Sequence, residues 1–319
     1  MAGALACAAQ SLPILIDTDA GSDDVMAIAF LLQHQNVRIE AITVSNGLAH
    51  VDAGARNLAR LVELAGRRDV KVFAGRNTPL RGHAEFPAEW RRISDELPGV
   101  LLPAVTRPPD SRPAADYLAD RLKEKRRPVR ILALGPLTNL AQALQRNAAS
   151  VDAIEEIVIM GGAVRVGGNL ADGGVFRTEN KTAEWNMFVD PLAARMVFRS
   201  GAKIRLIPLD ATNTVPIGAA FLREFQSRAH SALGRAVTQV LEADRESIDQ
   251  GIFYAWDPLA AVALLHPGVV NAVPLHIDVA QDQPQQGRTI ETPGTPNARV
   301  ALAADASAFR RLFLEAFEK

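Results

Sequence analysis

The chain has a single cysteine, Cys7, so no disulfide bond can form within it. One cysteine suits a reducing compartment, and we expect a cytoplasmic protein. No apolar run reaches the roughly 18 residues of a membrane-spanning helix, so we predict no membrane partner. Residues 1–12 are small and mostly apolar, and we expect them to be disordered or the remnant of a leader. The leader interpretation would make the protein periplasmic or secreted.

Neither sign of charge is in excess, because 35 lysines and arginines balance 36 aspartates and glutamates for a formal net charge of −1. Such a chain has no overall field that attracts nucleic acid, and we predict no nucleic-acid partner. The one extended basic stretch, 121–130, is interpreted as the solvated end of a helix. With 319 residues, of which 48% are hydrophobic, we assign residues 13–319 to a single domain.

Apolar strand-like runs alternate with helix-like segments along most of the chain. Strands are predicted at 13–16, 37–45, 70–74, 129–134, 154–160, 203–208, 269–279 and 299–302. Helices are predicted at 23–34, at 50–66, after the fourth strand through residue 146, twice within 217–250, and at 306–318. This order indicates an α/β protein with an open, mostly parallel, twisted sheet and helices on both faces. Two irregular segments, 75–112 and 161–182, are interpreted as lids or binding loops.

Four aspartates within eight residues are the most informative feature: Asp17, Asp19, Asp23 and Asp24 lie between two apolar runs. Carboxylates crowded between buried elements repel one another and take up protons unless a counter-charge is present. A divalent cation held by oxygen ligands supplies that charge. We therefore predict a metal site at a strand-to-helix turn, with Asp19 and Asp24 as ligands. Calcium is favoured over zinc, because the ligands are oxygens and no cysteine or histidine cluster exists.

Polar clusters follow four of the predicted strands, at 17–24, 45–47, 135–139 and 160–162. Ligands bind beyond the carboxyl ends of the strands in an open parallel sheet, so these clusters should meet at one edge. The backbone oxygen of Thr138 and the carboxylate of Asp257 are the further candidate metal ligands. Asp257 precedes Pro258, so it also fits a helix N-cap followed by proline, and both roles can hold together.

Glu184 and Asn186 follow the second irregular segment. Two residues apart in an extended chain, their side chains point the same way and can hydrogen-bond sugar hydroxyls. The alternative is an approach to a helix with Trp185 in the core. Only three tryptophans exist, and Trp90, Trp185 and Trp256 all lie beside predicted site segments. Core burial is the usual fate of one tryptophan, but this distribution predicts a flat aromatic ligand.

Two other known motifs also begin with closely spaced aspartates. An EF-hand loop that starts at Asp17 needs an acidic residue at its twelfth position, where Ile28 stands, so this interpretation fails. A phosphatase of the haloacid-dehalogenase type would use Asp17-Thr-Asp19, but it would want threonine or valine where Gly21 stands. That phosphatase stays as a weaker alternative.

Together these motifs resemble the inosine–uridine nucleoside hydrolase family. Its signature, Asp-x-Asp-x-Gly-x-Asp-Asp, stands at 17–24, with Ala20 where proline is usual. The similarity continues through Asn46, 137–139, 160–162, 184–186 and 256–257. The resemblance implies a Rossmann-like nucleoside hydrolase fold, a ribonucleoside substrate, calcium as the cofactor, and a homodimer or homotetramer.

The resemblance also implies a role for each matching position. The calcium ligands would be Asp19, Asp24, the Thr138 backbone oxygen and Asp257, with Asp19 also the catalytic base. The ribose-binding set would be Asp23, Asn46, Met160, Asn169, Glu184 and Asn186. Many members carry histidine where Trp256 stands. This departure resembles the inosine–adenosine–guanosine-preferring branch, in which two tryptophans enclose the purine, and Trp90 is similar to the second of them.

The expected activity is calcium-dependent hydrolysis of the N-glycosidic bond of purine ribonucleosides to free base and ribose, as in nucleoside catabolism and purine salvage. The first alternative is a hydrolase of pyrimidine ribonucleosides or of both kinds. A nucleoside- or ribose-binding protein without turnover is a further alternative.

Overall fold

The computed structural model describes residues 13–318, and an eight-stranded sheet lies at its centre. The strands of this sheet are β1 (Ile14–Thr18), β2 (Ile39–Val44), β3 (Lys71–Ala74), β4 (Val129–Ala133), β5 (Ile154–Met160), β6 (Ile204–Ile207), β7 (Val270–Leu275) and β10 (Ala298–Ala304). Their spatial order is β3-β2-β1-β4-β5-β6-β10-β7. Strand β7 runs antiparallel to β10, while the other neighbouring pairs are parallel. Strands β8 (Ile277–Val279) and β9 (Thr289–Glu291) form a separate antiparallel pair.

Helices cover both faces of the large sheet. They are α1 (Ser22–Gln33), α2 (Val51–Leu64), α3 (Ala88–Glu96), α4 (Ala114–Arg121), α5 (Thr138–Arg146), α6 (Trp185–Val189), α7 (Pro191–Phe198), α8 (Leu209–Thr212), α9 (Ala219–Arg228), α10 (Ala232–Ala243), α11 (Arg245–Asp249), α12 (Trp256–Leu265) and α13 (Ala306–Phe317).

Strand β1 shows why both faces need a cover. Its side chains alternate, so Ile14 and Ile16 enter the core with α1, α10, α12 and α13, whereas Leu15 enters the core with α4, α5 and α7. Every residue of β1 is buried, as expected for a central parallel strand. These layers confirm the predicted α/β class with a mostly parallel sheet.

Three expectations about individual elements were wrong. The segment 75–112 is not wholly irregular, because it contains α3, whose Ser94 and Asp95 carbonyls accept hydrogen bonds from Asn57 on α2. The segment 217–250 holds three helices rather than two. The strand predicted at 269–279 is divided, since β7 pairs with β10 and β8 pairs with β9 in the small sheet. The division of this strand depends on its pairing partners, which lie later in the chain.

The basic stretch 121–130 is only partly solvated. Arg121 is buried and its Nε lies 2.7 Å from Oε1 of Glu40 on β2. Its guanidinium also donates to the backbone oxygen of Arg127. The interpretation of the stretch as a solvated helix end is therefore wrong for its first arginine, and also for Val129 and Arg130, which begin strand β4.

Within residues 13–318, no helix is both long enough and apolar enough to cross a bilayer. The expectation for residues 1–12 lies outside the described residues. It stays a prediction, as does the assignment of residues 13–319 to a single domain.

Candidate functional site

The turn between β1 and α1 is built around Asp24. The Thr18 hydroxyl donates to Asp24 Oδ1, and the Gly21 N–H donates to Asp24 Oδ2 over 2.8 Å. Ala20 sits between them with φ of +59°, in the left-handed region. The φ angle of proline is fixed near −65°, so proline does not adopt the conformation of Ala20. The presence of alanine in place of the family's usual proline is therefore consistent with the local backbone.

Two glycines from neighbouring strand ends lie against Asp19. A β-carbon on Gly47, after β2, would lie 2.0 Å from Asp19 Oδ2, and one on Gly135, after β4, would lie 2.8 Å from Asp19 Cβ. This closeness lets the Leu48 N–H donate to Asp19 Oδ2 over 2.8 Å. The Asp19 backbone oxygen accepts from the Ala49 N–H. The carboxylate is thus held in place at the carboxyl edge of the sheet.

Asp257, more than 200 residues further along the chain, joins the same carboxylates. One oxygen each from Asp23, Asp24 and Asp257 all lie within 4.8 Å of one another. Asp24 also acts electrostatically on Asp19 and on Asp257, since its charge helps to raise the pKa of each. Helix α12 begins at Trp256 with Ala255 as its N-cap, so the N-cap interpretation of Asp257 is wrong. Asp257 instead lies in the first turn, and α12 packs on α1.

Burial dominates the electrostatics of this cluster. It raises the pKa of Asp17 to about 7, and burial together with the charge of Asp24 raises the pKa of Asp23 to about 8. For the same two reasons the pKa values of Asp19 and Asp257 lie well above the ordinary range. Burial also raises the pKa of Asp24, and the hydrogen bond from Thr18 opposes that rise.

The donor set fits a hard divalent cation. Asp19, Asp23, Asp24 and Asp257 are all buried, and within residues 13–318 none of them is in an ion pair with a lysine, arginine or histidine. All the candidate ligand atoms are oxygens, as calcium prefers. Bound positive charge would oppose both the burial and the mutual repulsion of the carboxylates, which together raise these pKa values.

Thr138 and Asp17 have hydrogen-bond partners outside the cluster. The Thr138 hydroxyl, at the first residue of α5, donates to Asp190 Oδ2 over 2.7 Å. Asp190 Oδ2 also accepts from the Leu80 N–H over 2.7 Å. Asp17 accepts from the Thr43 hydroxyl and the Asn139 amide. These two hydrogen bonds join Asp17 to β2 and α5, so Asp17 is a structural group at the end of β1.

Glu184 is the N-cap of helix α6. Its carboxylate accepts from the backbone N–H groups of Asn186 at 2.8 Å, Gly162 at 2.8 Å and Met187 at 3.2 Å. Burial raises the Glu184 pKa, and these three donors oppose the rise. The extended chain expected at 184–186 is wrong, and the approach to a helix is what the structure shows.

Three of the other ribose candidates, Met160, Asn169 and Asn186, lie near Glu184. The Asn186 amide donates to the Leu134 and Met160 backbone oxygens, at 2.8 Å and 3.3 Å, and so bridges the ends of β4 and β5. Asn169 Oδ1 accepts from the Trp185 N–H over 3.2 Å. The structure therefore brings Met160, Asn169, Glu184 and Asn186 together as one hydrogen-bonded group on the edge where the carboxylates lie.

The tryptophans divide into two places. Trp185 is only 4% exposed, its ring stacks on Phe86 at 4.7 Å, and Phe176 and Phe188 pack around it. This favours the core interpretation for Trp185. Trp90, on α3, meets the Trp185 ring edge-on at 5.7 Å. Trp256 has no ring contact with the other two tryptophans among residues 13–318, and it is half-buried against Phe253 at 5.4 Å and Tyr254 at 5.8 Å.

Three groups near the site were not predicted. Arg91 donates to Asn46 Oδ1 over 3.0 Å, Asp190 holds Thr138, and the Leu48 N–H holds Asp19. Only Asp190 carried a signal in the sequence, because it precedes Pro191 just as Asp257 precedes Pro258, and it does cap helix α7.

Fold and site together define an α/β protein with a buried acidic site at the carboxyl edge of a parallel sheet. The family model described as inosine-uridine preferring nucleoside hydrolase matches residues 14–311, and the chain belongs to that family. This confirms the resemblance found in the sequence. By its family, the chain is a nucleoside hydrolase, and nucleoside hydrolases are a class of glycosyl hydrolase.

Relatives differ in the base that their names specify. The pyrimidine-specific ribonucleoside hydrolase RihA of Salmonella schwarzengrund is 31% identical over 96% of this chain and 98% of its own length. Among solved structures, a plant nucleoside hydrolase superposes with a TM-score of 0.84 at 30% identity, over 96% of this chain and 99% of that one. A purine-preferring ribonucleoside hydrolase from Gardnerella vaginalis superposes with a TM-score of 0.80 at 26% identity, over 96% and 98%.

Proposed function

We propose that this protein hydrolyses the N-glycosidic bond of ribonucleosides to free base and ribose, that calcium is required, and that purines are preferred. The observation that carries the proposal is the convergence of four buried carboxylates, Asp19, Asp23, Asp24 and Asp257, with no cationic side chain of residues 13–318 paired to them. Family membership supports the reaction class.

The metal-binding part of the proposal assigns Asp19, Asp24, Asp257 and the Thr138 backbone oxygen as the groups that hold calcium. When bound, the ion would supply positive charge that lowers the pKa of a nearby water and orients the ribose hydroxyls. Calcium accepts six to eight oxygen ligands at flexible geometry, so these groups leave positions for water and sugar.

Asp19 is the proposed general base. Its Oδ2 is held by the Leu48 N–H, so the carboxylate keeps one orientation while it accepts the proton of the attacking water. Hydrolysis of a glycosidic bond passes through a transition state with positive charge on the sugar ring. The carboxylates of Asp19 and Asp23 favour that charge in a buried site, where electrostatic interactions are strong.

The ribose would be bound by the hydrogen-bonded group of Met160, Asn169, Glu184 and Asn186, with Asp23 and Asn46. Asn186 is fixed by two backbone oxygens, and Glu184 by three backbone N–H groups. Side chains held in this way do not need to reorganise when the substrate binds, which favours a reactive geometry.

Purine preference is proposed from Trp256, which directly precedes Asp257, and from Trp90 on α3. Indole faces attract a cationic ring, so stacking favours a purine that has gained a proton before it leaves. Trp256 offers no acidic proton, so we assign solvent as the proton source. The Salmonella relative named as pyrimidine-specific is the observation that favours the second candidate, hydrolysis of pyrimidine nucleosides.

A substrate panel tests the reaction and the base preference together. The protein is incubated with inosine, adenosine, guanosine, uridine and cytidine in calcium buffer, and free base and reducing sugar are measured. The proposal expects free base and reducing sugar to form faster from the purine nucleosides than from uridine and cytidine. It expects no turnover by Asp19→Ala. Uridine and cytidine as the better substrates would establish the second candidate. Binding without products would show a nucleoside-binding protein, and hydrolysis of a generic phosphate ester would show a phosphatase.

A further inference from the structure

We propose that Arg91 is a positioning residue of the nucleoside site, whose guanidinium turns the Asn46 side-chain amide so that its NH2 group faces the substrate. The inference rests on the proposed function, because it takes Asn46 to contact the ribonucleoside. It adds Arg91, a residue of α3 that would contribute to substrate binding by orienting Asn46.

The hydrogen bond between these side chains sets the direction of the amide. Arg91 Nη2 lies 3.0 Å from the Asn46 amide atom. A guanidinium only donates hydrogen bonds, so the amide atom that faces it is the oxygen. The NH2 group is then on the other side, and in the described part of the chain it donates to no acceptor. Asn46 therefore offers a donor, not an acceptor, to a bound molecule.

The burial of Arg91 argues for a specific task. Arg91 is only 7% exposed, and its one ion-pair partner among residues 13–318 is Glu85, whose side chain is 66% exposed. Its Nε is buried and finds no acceptor among the same residues. A buried charge with an unused donor is a poor choice for stability, and an apolar side chain of similar volume would pack there at lower cost.

Helix α3 gives Arg91 a rigid support. The Asn57 amide on α2 donates to the Asp95 backbone oxygen over 2.9 Å, and the His50 N–H donates to Asp95 Oδ1 over 2.8 Å. Arg91 reaches from this helix to Asn46, which directly precedes Gly47, the residue that lies against Asp19. The arginine thus joins the α3 segment to the edge of the carboxylate cluster.

Steady-state kinetics of Arg91→Gln and Arg92→Gln test the proposal. Arg92 is the matched control, because it is the adjacent residue of α3 but is exposed and paired with Glu89 and Glu96. Loss of one oriented hydrogen bond should raise KM for the preferred nucleoside about tenfold. The substitution should change kcat less than about threefold, because the hydrogen bond is lost equally from the bound ground state and from the transition state. Arg91→Lys keeps a donor and should recover part of the loss.

Two further variants separate positioning from a general structural effect. Asn46→Asp keeps an acceptor for Arg91 but removes the NH2 group, and it should raise KM as much as Asn46→Ala does. In an Asn46→Ala background, Arg91→Gln should raise KM less than about twofold further, because the two residues act through one contact.

Three results would overturn the proposal. The first is a KM for Arg91→Gln equal to that of Arg92→Gln, and the second is a normal KM for Asn46→Asp. The third is a rise in KM on Arg91→Gln that is as large in the Asn46→Ala background as in the wild type. If Arg91→Gln does not fold, as judged by circular dichroism, Arg91→Lys replaces it. A KM for Arg91→Lys above that of Arg92→Gln supports the proposal, an equal KM overturns it, and Asn46→Asp is judged as before. Failure of the proposed function is a separate outcome, because the wild-type protein would then release no base from any nucleoside.

Discussion

Gly47 lies so close to Asp19 that a β-carbon at position 47 would sit 2.0 Å from the Asp19 carboxylate oxygen Oδ2. That distance is far inside van der Waals contact, so only glycine permits this approach of the two strand ends. The approach matters for the site, because the same carboxylate oxygen accepts the N–H of Leu48, the next residue. One glycine after β2 therefore determines where the proposed catalytic base stands after β1.

Gly47→Ala should move the Asp19 carboxylate and break its hydrogen bond from Leu48. A misplaced catalytic group loses about a hundredfold in rate for a shift of about 1 Å, so we expect kcat to fall at least that far. Gly268→Ala is the matched control, since a β-carbon there meets no atom within 4 Å and should leave turnover unchanged. Equal kcat values for the two variants would refute the proposed role of the close contact.

Trp256→Ala should lower kcat/KM for inosine roughly 10- to 100-fold, the usual effect of removing one aromatic ring that stacks on a base. The ring is half-buried, so a modest fall in Tm should accompany this loss. Trp185→Phe, within the core aromatic cluster, is the control and should keep the wild-type ratio of inosine to uridine turnover. An inosine kcat/KM unaffected by Trp256→Ala would mean that this ring does not bind the base.

Asp244 gives the protein a pH-dependent stability, and its charge also helps to raise the pKa of Asp23 in the carboxylate cluster. Burial raises its pKa to about 6, a hydrogen bond with Ser22 opposes the rise, and its Oδ2 has no partner among the described residues. The protonated form is therefore favoured in the folded state, compared with an unfolded pKa of about 3.9. Its stabilising contribution is complete below about pH 4 and is lost as the pH rises through about 6.

Asp244→Asn removes this titration, and thermal melts of both proteins measure the effect. The Tm of the variant minus that of the wild type should increase between about pH 4 and about pH 7 and then level off. A difference that is the same at both ends of this range would show that Asp244 does not titrate in the way that its burial implies.

The fold and the carboxylate cluster could be predicted because their signals are local. Continuously apolar strands between amphipathic helices predict a parallel sheet, and the crowded aspartates after β1 predict a turn that needs positive charge. Asp257 could be added because the family motif marks it, although it lies on another helix. These parts depend on residue types and spacings that the chain shows directly.

The parts that were missed depend on contacts between distant residues. Arg91 and Asn46 are 45 positions apart, and neither one signals the other. The core position of Trp185 follows from Phe86, Phe176 and Phe188, which come from separate segments of the chain. Helix α3 was missed because proline and charged residues dominate its surroundings, while its fixed position comes from hydrogen bonds to α2.

The most direct test of the account is a calcium titration of chelated, metal-free protein, with bound calcium and inosine hydrolysis followed in parallel. We predict that a single ion binds per chain, that free base and ribose formation return in proportion to the bound ion, and that Asp257→Asn weakens both. The melting temperature should rise with calcium, because only the folded protein holds the ion. Full hydrolysis by metal-free protein, with no calcium bound, would contradict the account.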